Sequence, residues 1–211
     1  MIGIIDYGMG NLRSVENALK KLNAEALISD DENALGQCEK IILPGVGAFG
    51  DCMANLKDSR LDTFVQKCID TGKPLLGICV GMQMLFEKSE EKGIHEGLGY
   101  FKGRIKRLET DLPVPQIGWN ELVLKDHPLK KKLSEVPYVY YVHSYHAADY
   151  DEKDLAGYSF YGDVKVPGLF VRGHVMAAQF HPEKSAEDGL KILDYFLKEP
   201  AMKMSTQNDK E

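Results

Sequence analysis

Short apolar runs that keep giving way to helically spaced segments limit what this chain can become. MIGIID (1–6) leads through the turn-rich YGMG into NLRSVENALKKL, where Leu12, Val15, Leu19 and Leu22 recur on one helix face. AEALISD (24–30) and KIILPG (40–45) read as further strands. DCMANLKDSRLDTFVQKCID (51–70) then reads as helix, with Leu61, Phe64, Val65, Cys68 and Ile69 on one face, and KPLLGIC (73–79) reads as a strand running into a helix, VGMQMLFEK (80–88). Uninterrupted apolar strands alternating with amphipathic helices predict a mostly parallel sheet covered on both faces, an α/β architecture. From about residue 99 the texture changes. GYFKGRIKRL, QIGWNELVL, YVYYVHSYHA, GYSFYG and LFVRGHVMAAQF read as successive strands, so the second half is β-rich. SAEDGLKILDYFL (185–197) predicts a helix that packs back on the sheet through Leu190, Leu193 and Phe196 or Leu197. A chain of 211 residues suits one domain, placed at 1–198, with the polar 199–211 as a frayed tail.

Composition removes several function classes. The formal charge is −6, without the basic excess that favours phosphate backbones, so no nucleic acid is expected as partner. No apolar run approaches the ~20 residues that cross a bilayer, so no membrane span is expected. The four cysteines form no CxxC pair and no secretory signal is visible, which favours free thiols and a cytoplasmic location.

The chemistry centres on PLLGICVGMQMLF (74–86). Gly77, Cys79 and Gly81 form a G-x-C-x-G between a strand and a helix, the setting of a nucleophile elbow, and a helix N-terminus favours thiolate. Taken alone, Cys79 reads more readily as a small core residue than as a nucleophile. QFHPEK supplies what a nucleophile needs: His181 at a strand end as base, and Glu183 two residues on to orient it. Acyl chemistry also requires donors for an oxyanion. ILPGVGAFGD offers the backbone around Val46 and Gly47, and Val80 follows the nucleophile directly. At spacings of four from Cys79, Gln83 and Glu87 fall on the nucleophile's helix face, and Gln83 could grip a substrate. GMGNLR has Arg13 where a third glycine would stand, so no dinucleotide cofactor is expected. His143 and His146 have a metal-like spacing without a third ligand, so no metal is expected either.

With these residues in view, GICVGMQ and QFHPEK resemble the class I (triad-type) glutamine amidotransferases. MIGIIDYGMGNLRSVENAL, ILPGVGAFGD, GLGYFKGRIKRL, IGWNEL and YYVHSYH are similar to one subtype, the glutaminase subunits of imidazole glycerol phosphate synthase. The resemblance implies a flavodoxin-like three-layer fold. It also implies that Cys79 attacks L-glutamine to form a thioester and release ammonia, with His181 and Glu183 completing the triad. Gln83, His143, Ser144 and Tyr145 would then contact glutamine, and PGVG would be a switchable oxyanion loop. The implied partner is a (β/α)8-barrel cyclase that forms a heterodimer with this chain and uses the ammonia to make imidazole glycerol phosphate and aminoimidazole carboxamide ribotide. Asn11, Trp119, Tyr140 and Lys184 would lie near that interface. Gln116 departs from the family, standing where histidine is usual, and amidation of a surface sugar is the alternative destination of the ammonia. Two other readings are a noncatalytic subunit kept for its interface, and a cysteine hydrolase acting on peptides or esters.

Overall fold

The computed structural model describes residues 1–199. In chain order it builds β1 (Ile2–Ile5), α1 (Leu12–Lys21), β2 (Ala26–Ser29), α2 (Glu32–Gly36), β3 (Lys40–Leu43), α3 (Phe49–Asp58), α4 (Leu61–Thr71), β4 (Leu75–Ile78) and α5 (Val80–Gln83). The β-rich half follows: β5 (Phe86–Ser89), β6 (His95–Glu96), β7 (Phe101–Arg107), β8 (Gln116–Glu121), β9 (Val123–Leu124), β10 (Tyr138–His143), β11 (Tyr145–Ala148), β12 (Leu155–Tyr161), β13 (Val164–Arg172) and β14 (Val175–Ala178). A helix, α6 (Ala186–Lys198), is the last element of the described chain, and of the tail expected at 199–211 all but Glu199 lies outside the described residues.

Every residue of β1, β3, β4 and β14 is buried, as strands covered on both faces must be. They form the centre of an eight-stranded sheet ordered β2-β1-β3-β4-β14-β13-β12-β9. The first five are mutually parallel and the last three add antiparallel. That 2-1-3-4 start followed by a fifth parallel strand is the flavodoxin-like order, in which ligands gather beyond the carboxyl ends of the strands. A second sheet, β11-β7-β5-β6, docks on the first through rings: Phe86 meets Phe170 edge-on at 5.1 Å and Phe101 meets it at 5.6 Å. β8 and β10 pair as a separate two-stranded ribbon. Among the described residues no helix is long and apolar enough to cross a membrane.

Two expectations need correcting. The helix anticipated over 51–70 is two, because Arg60 takes a left-handed conformation (φ 61°) between α3 and α4. The helix anticipated after Cys79 lasts one turn. Met82, Met84, Leu85 and Phe86 are all fully buried, so there is no polar face to sustain a surface helix, and the chain enters β5 instead. Glu87 therefore lies on a strand, where it accepts the Gly103 amide at 2.8 Å and does not share a helix face with Cys79.

Candidate active site

The ladder between β4 and β14 decides which residues meet. Ile78 is in register with Ala178, so both strands end at the same level and deliver Cys79 and Gln179 side by side. The Cys79 amide extends the ladder by donating to the Ala178 carbonyl at 2.8 Å. Cys79 itself holds φ 56° and ψ −111°, a conformation non-glycine residues rarely adopt. The surrounding backbone enforces it. A Cβ on Gly77 would lie 2.9 Å from the Gly81 carbonyl oxygen, and one on Gly81 would collide with the Leu43 carbonyl. The two glycines let the one-turn α5 press against the strand ends, so the thiol is held at the turn's tip.

His181 is almost fully buried, and its backbone amide donates to the Tyr140 carbonyl at 2.9 Å. Ser185 Oγ receives the Tyr140 amide and donates to the His181 carbonyl, tying ribbon to base. The His181 ring places Nδ1 2.8 Å from Glu183 Oε1, with both side chains enclosed. A carboxylate only accepts, so Nδ1 carries a proton and Nε2 is left for another task. Nε2 is buried without a hydrogen bond. Burial works against a charged ring, but Cys79 and then Glu183 outweigh it and raise the His181 pKa to about 10. The Cys79 thiol lies 4.0 Å from the Val142 carbonyl and 4.0 Å from Gln179 Nε2.

Beside these groups opens a cavity of ≈ 290 Å³, at the small end for ligand sites and suited to an amino acid. It is lined by Val46, Gly47, Cys79, Val80 and Gln83 on one side and by His143, Ser144, Tyr145 and His181 on the other. The structure therefore brings together the nucleophile, base, oxyanion and glutamine-contact residues anticipated from sequence, with Glu183 just behind His181. Gln83 is fixed by donating Nε2 to the Tyr145 carbonyl (2.9 Å) and to Gln179 Oε1 (3.0 Å). His143 Nδ1 donates to the Tyr145 carbonyl at 2.9 Å, and burial lowers its pKa to about 4, so the ring is neutral at physiological pH. The Val80 amide is occupied: it donates to the Gly45 carbonyl at 3.3 Å.

Two lining or supporting residues escaped the sequence. Glu91 is the acidic side chain on the cavity wall, and its Oε2 also accepts the Phe49 amide at the start of α3. It follows β5 with no periodic signal. Gln179 was legible only as part of QFHPEK, although it braces Gln83.

The four residues expected near a partner are spread around this site. Trp119 and Tyr140 face each other across the β8–β10 ribbon, ring centroids 6.0 Å apart at 67°. With Ile117, Tyr138 and Val142 they make an outward apolar face. Lys184 is exposed beside Glu183, and Asn11 lines a small cleft with His181 and Glu183. Gln116 is different. It is fully buried, paired in register with His143, and donates to Asn120, so it points away from the outward face. Among the described residues no three His, Cys, Asp or Glu side chains are grouped to hold a metal.

Comparison with known proteins places this geometry. Residues 3–199 match the family described as glutamine amidotransferase class-I. The chain is 47% identical over 203 residues to the imidazole glycerol phosphate synthase subunit HisH of Sulfurimonas denitrificans, covering 94% of this chain and 98% of that one. It is likewise 47% identical to the HisH subunit of Bacillus cytotoxicus, covering 93% of each. Among solved structures, a glutamine amidotransferase aligns with TM-score 0.74 at 22% identity, covering 93% of this chain and 96% of that one. PurLQS from Thermotoga maritima aligns with TM-score 0.70 at 22% identity, covering 93% and 96%; these likenesses speak for the fold. A strained cysteine beside a buried His–Glu pair on this sheet thus stands in an enzyme family, and the chain belongs to the class I glutamine amidotransferases, alongside the HisH subunits.

Proposed function

We propose that the chain is the glutaminase subunit of an imidazole glycerol phosphate synthase, hydrolysing L-glutamine and handing the ammonia to a (β/α)8-barrel cyclase. The observation that carries the chemistry is the placement of Cys79 and His181 at the ends of adjacent parallel strands, with Glu183 behind the ring. The Cys79 sulfur attacks the side-chain amide carbon of glutamine. His181, held charged, protonates the leaving nitrogen, and ammonia departs from a γ-glutamyl thioester. The ring, now neutral at Nε2, takes a proton from water as that water attacks the thioester; glutamate leaves and the thiol is restored. Glu183 keeps the ring in the required orientation throughout.

Glutamine carries an ammonium and a carboxylate at its other end. Glu91 is the wall's acidic group and suits the ammonium, while Ser144 and Tyr145 suit the carboxylate. With both Nε2 hydrogens of Gln83 committed, its Oε1 is the atom left for the substrate.

The oxyanion needs the Val80 amide, which Gly45 now holds. The Gly45 carbonyl and the Val46 N–H are opposite ends of one planar peptide and point opposite ways. Turning that peptide releases Val80 and presents Val46 N–H in the same motion, so the loop can rest inactive until a partner or substrate favours the turn. The apolar outward face of the ribbon, with Trp119 and Tyr140, suits the barrel subunit of a heterodimer. Because the Val142 carbonyl touches the thiol while its side chain lies on that face, ammonia formed at Cys79 is one strand away from the partner. Products of the whole synthase would be imidazole glycerol phosphate and aminoimidazole carboxamide ribotide. Glutamine turnover measured with and without cyclase subunits tests the assignment: stimulation by the histidine-pathway cyclase is expected, and its absence would contradict that partner while leaving the amidotransferase chemistry standing.

A further inference from the structure

The peptide that has to turn is clamped on both sides. The Tyr7 hydroxyl, just beyond β1, donates to the Pro44 carbonyl at 2.8 Å. The Cys52 thiol, on the first turn of α3, lies 3.6 Å from the Val46 carbonyl and donates to it. Between them stands the Gly45 carbonyl, held by Val80. Three successive carbonyls of the loop are thus engaged, two of them by side chains, one from β1's end and one from the helix that follows the loop.

Tyr7 and Cys52 are both buried, and they also interact with one another. Burial, with the neighbouring Cys52 adding to it, drives the Tyr7 hydroxyl far above its ordinary pKa. Burial likewise pushes the Cys52 thiol up to about 11, against a smaller opposing effect of Tyr7. Both groups therefore stay protonated near neutral pH and both remain donors. Neither lines the cavity, so neither is placed to touch substrate.

The geometry of the backbone gives these anchors a purpose. The Pro44 carbonyl belongs to the peptide between residues 44 and 45, and the Val46 carbonyl to the peptide between 46 and 47. A turn of the peptide between Gly45 and Val46 changes ψ of one residue and φ of the other in opposite senses, which leaves both neighbouring peptides where they are. We propose that Tyr7 and Cys52 are positioning residues for the oxyanion: they fix the two flanking carbonyls so that motion is confined to the Gly45–Val46 peptide and Val46 N–H arrives where charge develops. This rests on the glutaminase reading above. Donors aimed at a developing oxyanion act mainly on the chemical step, so a loosened loop should lower kcat and leave glutamine binding intact.

The test uses the full chain together with a histidine-pathway cyclase subunit, with glutamine hydrolysis and Cys79 alkylation by iodoacetamide measured on the same preparations. Alkylation is a direct displacement at carbon that consumes the thiolate without forming an oxyanion, so it reports the nucleophile alone. Tyr7→Phe and Cys52→Ala are expected to lower kcat by about tenfold each with KM and the alkylation rate unchanged. Cys52→Ser, which keeps a donor for the Val46 carbonyl, is expected to recover most of the loss. Wild-type kcat in both Tyr7→Phe and Cys52→Ala would overturn the proposal, as would a parallel fall in Cys79 alkylation or a Cys52→Ser variant no better than the alanine. Absence of glutamine turnover by the wild-type chain, both alone and with the cyclase subunit, would instead contradict the glutaminase reading and take the proposal with it.

Discussion

Ile78 and Ala178 stand side by side on parallel strands, and that single register explains why Cys79 and His181, far apart in sequence, share one site. Each strand ends where its neighbour ends, so whatever follows Ile78 meets whatever follows Ala178. The elbow glycines then fix the direction of the thiol, and the Tyr140 carbonyl and Ser185 fix the imidazole.

The strained turn carries a stability cost that can be measured. Cys79 sits at positive φ, worth about 1–3 kcal/mol against a relaxed residue. Cys79→Gly removes that strain, at a smaller entropic cost in the unfolded chain. Thermal denaturation should show Tm rising by about 2–4 °C as glutamine turnover disappears. An unchanged or lower Tm would mean the turn stores no such strain.

Gly81 tolerates nothing larger. A methyl there runs into the Leu43 carbonyl, which is backbone in a central strand and cannot step aside. Gly81→Ala should cost more than about 4 kcal/mol, read as a collapse of the denaturant midpoint or loss of soluble protein. Near-wild-type stability would show that the strand and elbow are less tightly packed than described.

Acid should weaken the fold through two enclosed histidines. Burial lowers both His143 and His146 to about 4, against 6.5 for the ordinary side chain. Between those values the unfolded chain binds protons that the folded chain refuses, so their contribution is fully present above pH 6.5 and is lost as pH falls toward 4. Each can account for at most about 3 kcal/mol. Urea unfolding across that range should show a slope that flattens in His146→Phe; an identical slope in the variant would remove His146 from the account.

Trp119 tests the proposed partner face without disturbing the fold. It is 49% exposed, and its main ring neighbour is Tyr140 on the same ribbon. Trp119→Ala should leave Tm nearly unchanged while weakening cyclase binding by about 2 kcal/mol or more, as truncated interface aromatics do. Calorimetric titration of the two subunits reads this directly, and wild-type affinity would move the interface elsewhere.

What the sequence disclosed, and what it withheld, follows from how local each feature is. β1, β3 and β4 were legible because strands buried on both faces are written as unbroken apolar runs. The Cys79–His181–Glu183 grouping was legible because two short motifs at strand ends have few other uses together. The helix break at Arg60 carries no glycine or proline, so nothing local announces it. The end of α5 was invisible because Met84, Leu85 and Phe86 suit a buried helix as well as a strand; the ring contacts of Phe86 with Phe101 and Phe170 fit it into β5. Misplacing that boundary put Glu87 beside the nucleophile, when the acidic residue on the cavity wall is Glu91.

The central claim is that Cys79 is the nucleophile for glutamine, and ammonia release by wild-type and Cys79→Ala chains, assayed side by side with glutamine and a cyclase subunit, tests it most directly. The account predicts turnover in the wild type and none above background in a folded Cys79→Ala variant; turnover surviving the substitution would contradict it.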